Sequence, residues 1–468
     1  MQRALLLLLI AVSYLLFAGG PAWTSGPLLA LAAATVAVAP RRTLSFPRVF
    51  RPLDLALGAL IAGIVLQIIP LPPAAVAVLS PHAATVRTTL DISPLGAATP
   101  TWTTLSLDAA ATVSALGPLM LGTVAFVSTR SAFPAGGSRQ FCRWLALIGA
   151  AAALLALYHR SVATGLVLGV LRPEARSANP FGAFVNRNHF GAWLLMMSAP
   201  VAGYLVAHVK THPGYRTRGL LRESLTSGGL LVAVAGMMMV GALLLTVSRS
   251  SLVGLAAAVG AGALLAQRRL HIKSISLRLL FAGVVAAVLI GVLFVDLRSW
   301  AQRIDAGFVE EGIGASRRVI WAETVPIVRD FPITGTGAGT FSPAMVVYQQ
   351  TRLWVGSVQR WSHFNNAHSH YLQVAAEGGL LLALPAAAGL ILLFALAWRA
   401  INGDRGEIFW VRAGAAAGLA GVAVQSIWEV PLVMPANAIV CGVLAGLVLH
   451  QRGDHGAGDT PRAWLARP

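Results

Sequence analysis

The chain has 468 residues, of which 56% are hydrophobic and 11% charged, with a mean hydropathy of +0.72. A soluble domain carries about 25% charged residues, so the composition excludes an ordinary water-soluble protein. Thirty-five basic side chains against 17 acidic ones give a net charge of +18, which suits either nucleic acid or loops held at the cytoplasmic side of a membrane.

A spanning helix needs roughly 20 mostly apolar residues. Taken in chain order, such stretches run over roughly 4–20, 26–40, 53–71, 109–128, 144–159, 190–209, 228–247, 251–267, 279–296, 374–397, 413–428 and 433–450. The first is read as a retained helix, since no small-x-small cleavage site follows its apolar run. With the N-terminus in the cytoplasm, alternation places Arg41, Arg42, Arg48, Arg51, Arg130, Arg139, Arg143, Lys210, Arg216, Arg268, Arg269, Arg399, Arg405 and Arg412 in short cytoplasmic connections, as the positive-inside rule requires. Topology therefore accounts for most of the positive charge, and nucleic acid is not needed. The expected architecture is an all-α polytopic membrane protein of about 12 transmembrane helices. Helices one to nine fall within 1–296 and a large periplasmic loop covers 297–373. Helices ten to twelve lie within 374–450 and a cytoplasmic tail covers 451–468. The two cysteines, Cys142 and Cys441, form no CxxC and no Cys/His cluster, which argues against a disulfide framework and a cysteine metal site.

The polar residues left on the far side fall into four blocks. Asn179 to Phe190 packs Asn186, Arg187, Asn188 and His189 just ahead of the sixth apolar stretch. Thr246 to Ser251 puts Arg249 between two apolar helices with Ser248 and Ser250 beside it; an arginine there is costly unless it faces protein, water or an anion. Ser316 to Trp321 carries Arg317 and Arg318, and Pro332 to Gly339 follows with alternating glycines. That run lacks the GK[ST] of a phosphate loop, so its expected role is to shape the loop. Finally, Asn365 to Gln373 holds His368 and His370 at the membrane surface, with Glu377 seven residues beyond His370, a spacing that could put both on one helix face. A neutral histidine is a suitable general base. No acid or cysteine completes a zinc set at familiar spacing, so no metal is expected.

Together these blocks resemble the O-antigen ligase and O-antigen polymerase superfamily of bacterial membrane glycosyltransferases, over roughly residues 105–440. The resemblance rests on His368-Ser369 followed after nine residues by Gly379, on Ser248-Arg249, on Arg318 to Trp321, on the Pro-x-x-Gly-x-Gly run from Pro332, and on Asn186-x-Asn188, all in the family's order. It implies a GT-C-like, metal-independent and cofactor-free enzyme of the bacterial inner membrane whose site faces the periplasm. Such an enzyme takes a glycan from undecaprenyl diphosphate. A ligase passes it to a sugar of lipid A–core, and a polymerase passes it to another repeat unit. By resemblance His368 activates the acceptor hydroxyl and Arg249 and Arg318 hold the donor diphosphate, with inversion at the anomeric carbon. Arg187, Asn186, Asn188, Ser248, His370 and Gln373 are the further substrate-binding candidates. The spacing after His368 favours the ligase branch. A lipid-linked glycan transporter fits less well, because the apolar segments carry almost no ionisable residue away from their ends.

Overall fold

In the computed structural model, residues 1–39, 49–90, 102–133, 136–162, 165–173, 178–211, 228–270, 313–351, 353–355, 358–360, 363–404, 406 and 408–450 are described. Long apolar runs without interior charge leave the backbone no partner but itself in lipid, and these runs form helices. Those at least 18 residues long and apolar enough to cross a bilayer are α3 (Arg51–Ile68), α6 (Ala109–Ser131), α7 (Ser138–Val162), α8 (Arg187–Thr211), α10 (Arg249–Leu270), α13 (His370–Gly403) and α14 (Ile408–Gln425). Shorter apolar helices are α1 (Gln2–Leu15), α2 (Ser25–Ala37), α9 (Gly229–Leu245) and α15 (Pro435–Leu449). Every predicted stretch thus coincides with a helix, save 279–296, which lies outside the described residues, as does the tail 451–468. The chain is a multi-pass membrane protein.

The helices meet where small residues let the backbones touch. Gly122 of α6 faces Gly442 of α15, Gly203 of α8 faces Gly414 of α14, and Gly254 of α10 faces Gly421 of α14. Lipid offers no hydrophobic drive for helix association, so such close approach supplies it through dispersion. One large core joins α1, α6, α7, α8, α9, α14 and α15.

The stretch 297–373, expected as a long loop, is more ordered than that. From residue 313 it holds α11 (Ile313–Asp330), a glycine-rich turn, α12 (Phe341–Tyr348) and a small antiparallel ribbon of β1 (Leu353–Val355) and β2 (Val358–Arg360). The reason is a second, separate core. Ile320, Ile327 and Phe331 pack on Phe341, Ala344, Met345 and Phe364, with Val76 and Ala83 added from α4 (Pro73–Leu79) and α5 (Ala83–Leu90). These apolar spacings are too short to read as spanning segments, yet they suffice for an amphipathic face.

Arginines gather at one end of the bundle. Arg130 pairs with Asp54 at 3.0 Å, Arg412 with Asp404 at 3.3 Å, and Arg3 donates to the Ala132 carbonyl at 2.8 Å.

Candidate functional site

Three helix N-termini and one connection between helices meet at the end of the bundle away from those pairs. The first is the start of α8. Asn186 caps it, its Oδ1 accepting the Asn188 N–H at 2.8 Å, as an N-terminal asparagine does. The loop ahead of it is anchored by Phe181, which stacks on Phe190 with ring centroids 5.5 Å apart, and by the Arg187 N–H donating to the Asn179 carbonyl at 3.1 Å. The Asn188 carbonyl accepts from Gln425 Nε2 of α14 at 3.1 Å and from Ser251 Oγ of α10 at 3.3 Å.

The second is the start of α10. Ser248 Oγ accepts from Ser251 Oγ at 2.8 Å and from the Ser251 N–H at 3.3 Å. Ser248 is therefore occupied as a cap and buried. The third is the start of α13. Ser369 caps it, accepting the Leu372 N–H at 3.4 Å. Just before it, His368 takes a left-handed backbone with φ of 47°. Its N–H is held by Asn366 Oδ1 at 3.0 Å, and Trp321 Nε1 of α11 fixes the preceding Ala367 carbonyl at 2.9 Å. A non-glycine residue in this region costs of order 1–3 kcal/mol and persists only where the surroundings hold it.

Glu429, in the connection from α14 to α15, binds these parts together. Its side chain is 0% exposed. Oε1 lies 3.4 Å from His368 Nδ1 and 3.8 Å from His189 Nε2. Oε2 accepts from Asn188 Nδ2 at 2.5 Å and lies 3.9 Å from Arg317 Nη2. The His370 N–H donates to the carbonyls of Ser426 at 2.8 Å and Glu429 at 3.1 Å. Burial pushes the Glu429 carboxyl up, but the adjoining His189 and His368 rings outweigh it and hold the group well below the usual carboxylate range. Burial lowers the Arg317 guanidinium; Glu429 opposes that and Arg249 adds to it. Arg249 also repels Arg187. Arg317, His189 and His368 thus surround Glu429, with Arg187 and Arg249 within electrostatic reach of the group. The field of such a cluster favours an anion.

The placement differs from the sequence reading in three respects. The guanidinium turned to the site is that of Arg317, whereas Arg318 is exposed, because neighbours on a helix point about 100° apart. Trp321, four residues after Arg317, lies on the same face and marks the register. Glu377 does not serve His370: its carboxylate accepts the N–H groups of Gly339 at 2.9 Å and Phe341 at 3.1 Å and the Gln373 amide at 3.1 Å. Gln373 is likewise occupied, its Oε1 accepting the Ala367 N–H at 3.2 Å. The glycine run shapes the loop, as its sequence suggested, by letting backbones touch. Gly335, at φ of 64°, lies against the Glu377 backbone so closely that a Cβ there would fall 2.2 Å from it. Glu429 and Arg317 were not singled out in the sequence. An acid in a very short connection between two apolar stretches, where a charge is expensive, was the available signal for Glu429.

A multi-pass helical membrane protein with a buried carboxylate amid arginines and histidines at one end of the bundle is defined by this geometry. Residues 234–387 match the family model described as O-antigen ligase. The chain thus carries an O-antigen ligase-like segment, which implies a glycosyltransferase-like membrane enzyme of the ligase or polymerase kind. The matched stretch holds Arg249, Arg317 and His368 but not Arg187 or Glu429. No curated protein matches the chain.

Proposed function

We propose that this protein is a ligase that moves a glycan from undecaprenyl diphosphate to a sugar hydroxyl of lipid A–core at the periplasmic face of the inner membrane. The convergence of Arg187, Arg249 and Arg317 with His368 is the observation that supports it most. The leaving group is a lipid diphosphate, so negative charge grows on its bridging oxygen, and preorganised guanidinium groups stabilise that charge by a few kcal/mol each. His368 takes the acceptor proton, the hydroxyl oxygen attacks the anomeric carbon, and the bond to the diphosphate breaks with inversion. A positioned base contributes about 10²–10⁴-fold. Asn186, Asn188, Ser248, Gln373 and His370 act around this centre mainly by holding its parts in place.

The test is the glycan profile of cells carrying His368→Ala. The ligase reading expects loss of surface-linked chains while lipid-linked polymer accumulates. Chains reduced to single repeats would identify a polymerase with the same donor instead. Unchanged surface glycan would remove both readings.

A further inference from the structure

Glu429 is fully buried, and groups from four parts of the chain face it. His189 and Asn188 come from α8, Arg317 from α11, His368 from the connection ahead of α13, and the Val430 N–H, 3.3 Å from Oε1, from its own segment. Arg249 of α10 repels the neighbouring Arg317, and the His370 N–H holds the Glu429 carbonyl. A carboxylate accepts and cannot donate, so it favours the tautomer with the proton on the imidazole nitrogen nearer to it. In His368 that nitrogen is Nδ1, which lies 3.4 Å from Oε1 and just outside hydrogen-bond geometry; a small turn of the ring closes the contact and leaves the lone pair on Nε2.

We propose that Glu429 is a positioning residue for the transfer step. It fixes the tautomer and aim of the His368 ring and stabilises the imidazolium formed when Nε2 takes the acceptor proton. This rests on the transferase reading above. The balance is complete. The acceptor O–H bond breaks and its proton goes to Nε2. The glycosidic C–O bond forms, and the anomeric bond to the diphosphate breaks with its electron pair on the departing lipid diphosphate. The imidazolium then returns its proton to water. Glu429 stays ionised throughout, as an orienting carboxylate does beside a catalytic histidine.

Glutamine at this position has nearly the same shape, but its amide donates. It would pair with the Nδ1 lone pair and put the proton on Nε2, the wrong nitrogen. The experiment compares wild type, Glu429→Gln, Glu429→Asp and His368→Ala as purified full-length protein in lipid nanodiscs. The probes are undecaprenyl-diphosphate-linked glycan and lipid A–core from a strain lacking ligase. Glu429→Gln should lose about 10²-fold in kcat while KM for the donor changes less than about twofold. The acid limb of its pH–rate profile should move to lower pH, because the imidazolium has lost its partner. Glu429→Asp, which keeps the charge but retracts it by one methylene, should lose about tenfold in kcat with the acid limb unmoved. A wild-type kcat in either variant overturns the proposal, and so does a loss in Glu429→Gln with no movement of the profile. Should Glu429→Gln not fold, Glu429→Asp alone carries the test. The transferase reading fails separately, if His368→Ala transfers at the wild-type rate.

Discussion

Arg317 and Arg318 are adjacent, equally basic and equally compatible with an Arg-x-x-Trp reading within one residue. Only the helical register separates them, and it favours Arg317, 3.9 Å from the buried Glu429 carboxylate. Arg317→Ala should lower kcat/KM for the lipid-diphosphate donor by about tenfold or more. Arg317→Lys should recover little of that, since it keeps charge but loses the planar fork. Arg318→Ala should stay within about twofold, by the same steady-state assay. The reverse order would return the donor role to Arg318. Glu429 also ties the site to pH. Its folded value lies below an unfolded value of about 4.3, so its contribution to stability is fully present above that value and is lost as pH falls through the lower folded one. The melting temperature gap between wild type and Glu429→Gln should be constant above about pH 5 and shrink below it. A gap that widens on acidification would contradict the assignment.

At the scale of the elements, the broken helix α13 and the glycine run hold each other. Gly379 has φ of 52° inside α13, and the freed Leu380 and Leu381 N–H groups donate to the carbonyls of Pro332 at 2.8 Å and Ile333 at 2.9 Å. Gln67 of α3 closes the same knot, donating to the Thr334 and Glu377 carbonyls at 2.7 and 2.9 Å. This arrangement sets where α13 begins, and so where His368 stands. Gly335→Ala should lower stability by about 2–4 kcal/mol through steric overlap at positive φ, read by thermal unfolding of the solubilised protein. Gly58→Ala in α3, where an added Cβ meets nothing within 4 Å, is the comparison and should be neutral or slightly stabilising. Equal effects would mean the turn does not need its glycines. The sequence reading assigned loop-shaping to this run, but the partner of Glu377 could not be inferred from a spacing of seven. The carboxylate finds the N-terminus of α12, a helix too short and too far along the chain to announce itself.

For the whole molecule, apolar run length located the spanning helices, because lipid permits little else. What it could not show was the second core of α11, α12 and α5, or the meeting of His189 with His368 across 179 positions of chain at one carboxylate. Tertiary packing decides both. The bundle has two chemically distinct ends, one holding Arg130–Asp54 and Arg412–Asp404 and the other the His368 cluster. A membrane-impermeant maleimide applied to intact spheroplasts should label Arg318→Cys, whereas Arg399→Cys should react only after permeabilisation. Both positions are exposed. Labelling of both from one side would overturn the topology.

The central claim is that the arginine and histidine cluster around Glu429 carries out glycan transfer from a lipid diphosphate. Its most direct test is transfer in vitro by purified protein, from undecaprenyl-diphosphate-linked glycan to lipid A–core, with donor binding measured in parallel. Wild type should form the linked product, and His368→Ala should bind donor normally yet form none. Product from His368→Ala at the wild-type rate, or none from wild type with both substrates present, would contradict the account.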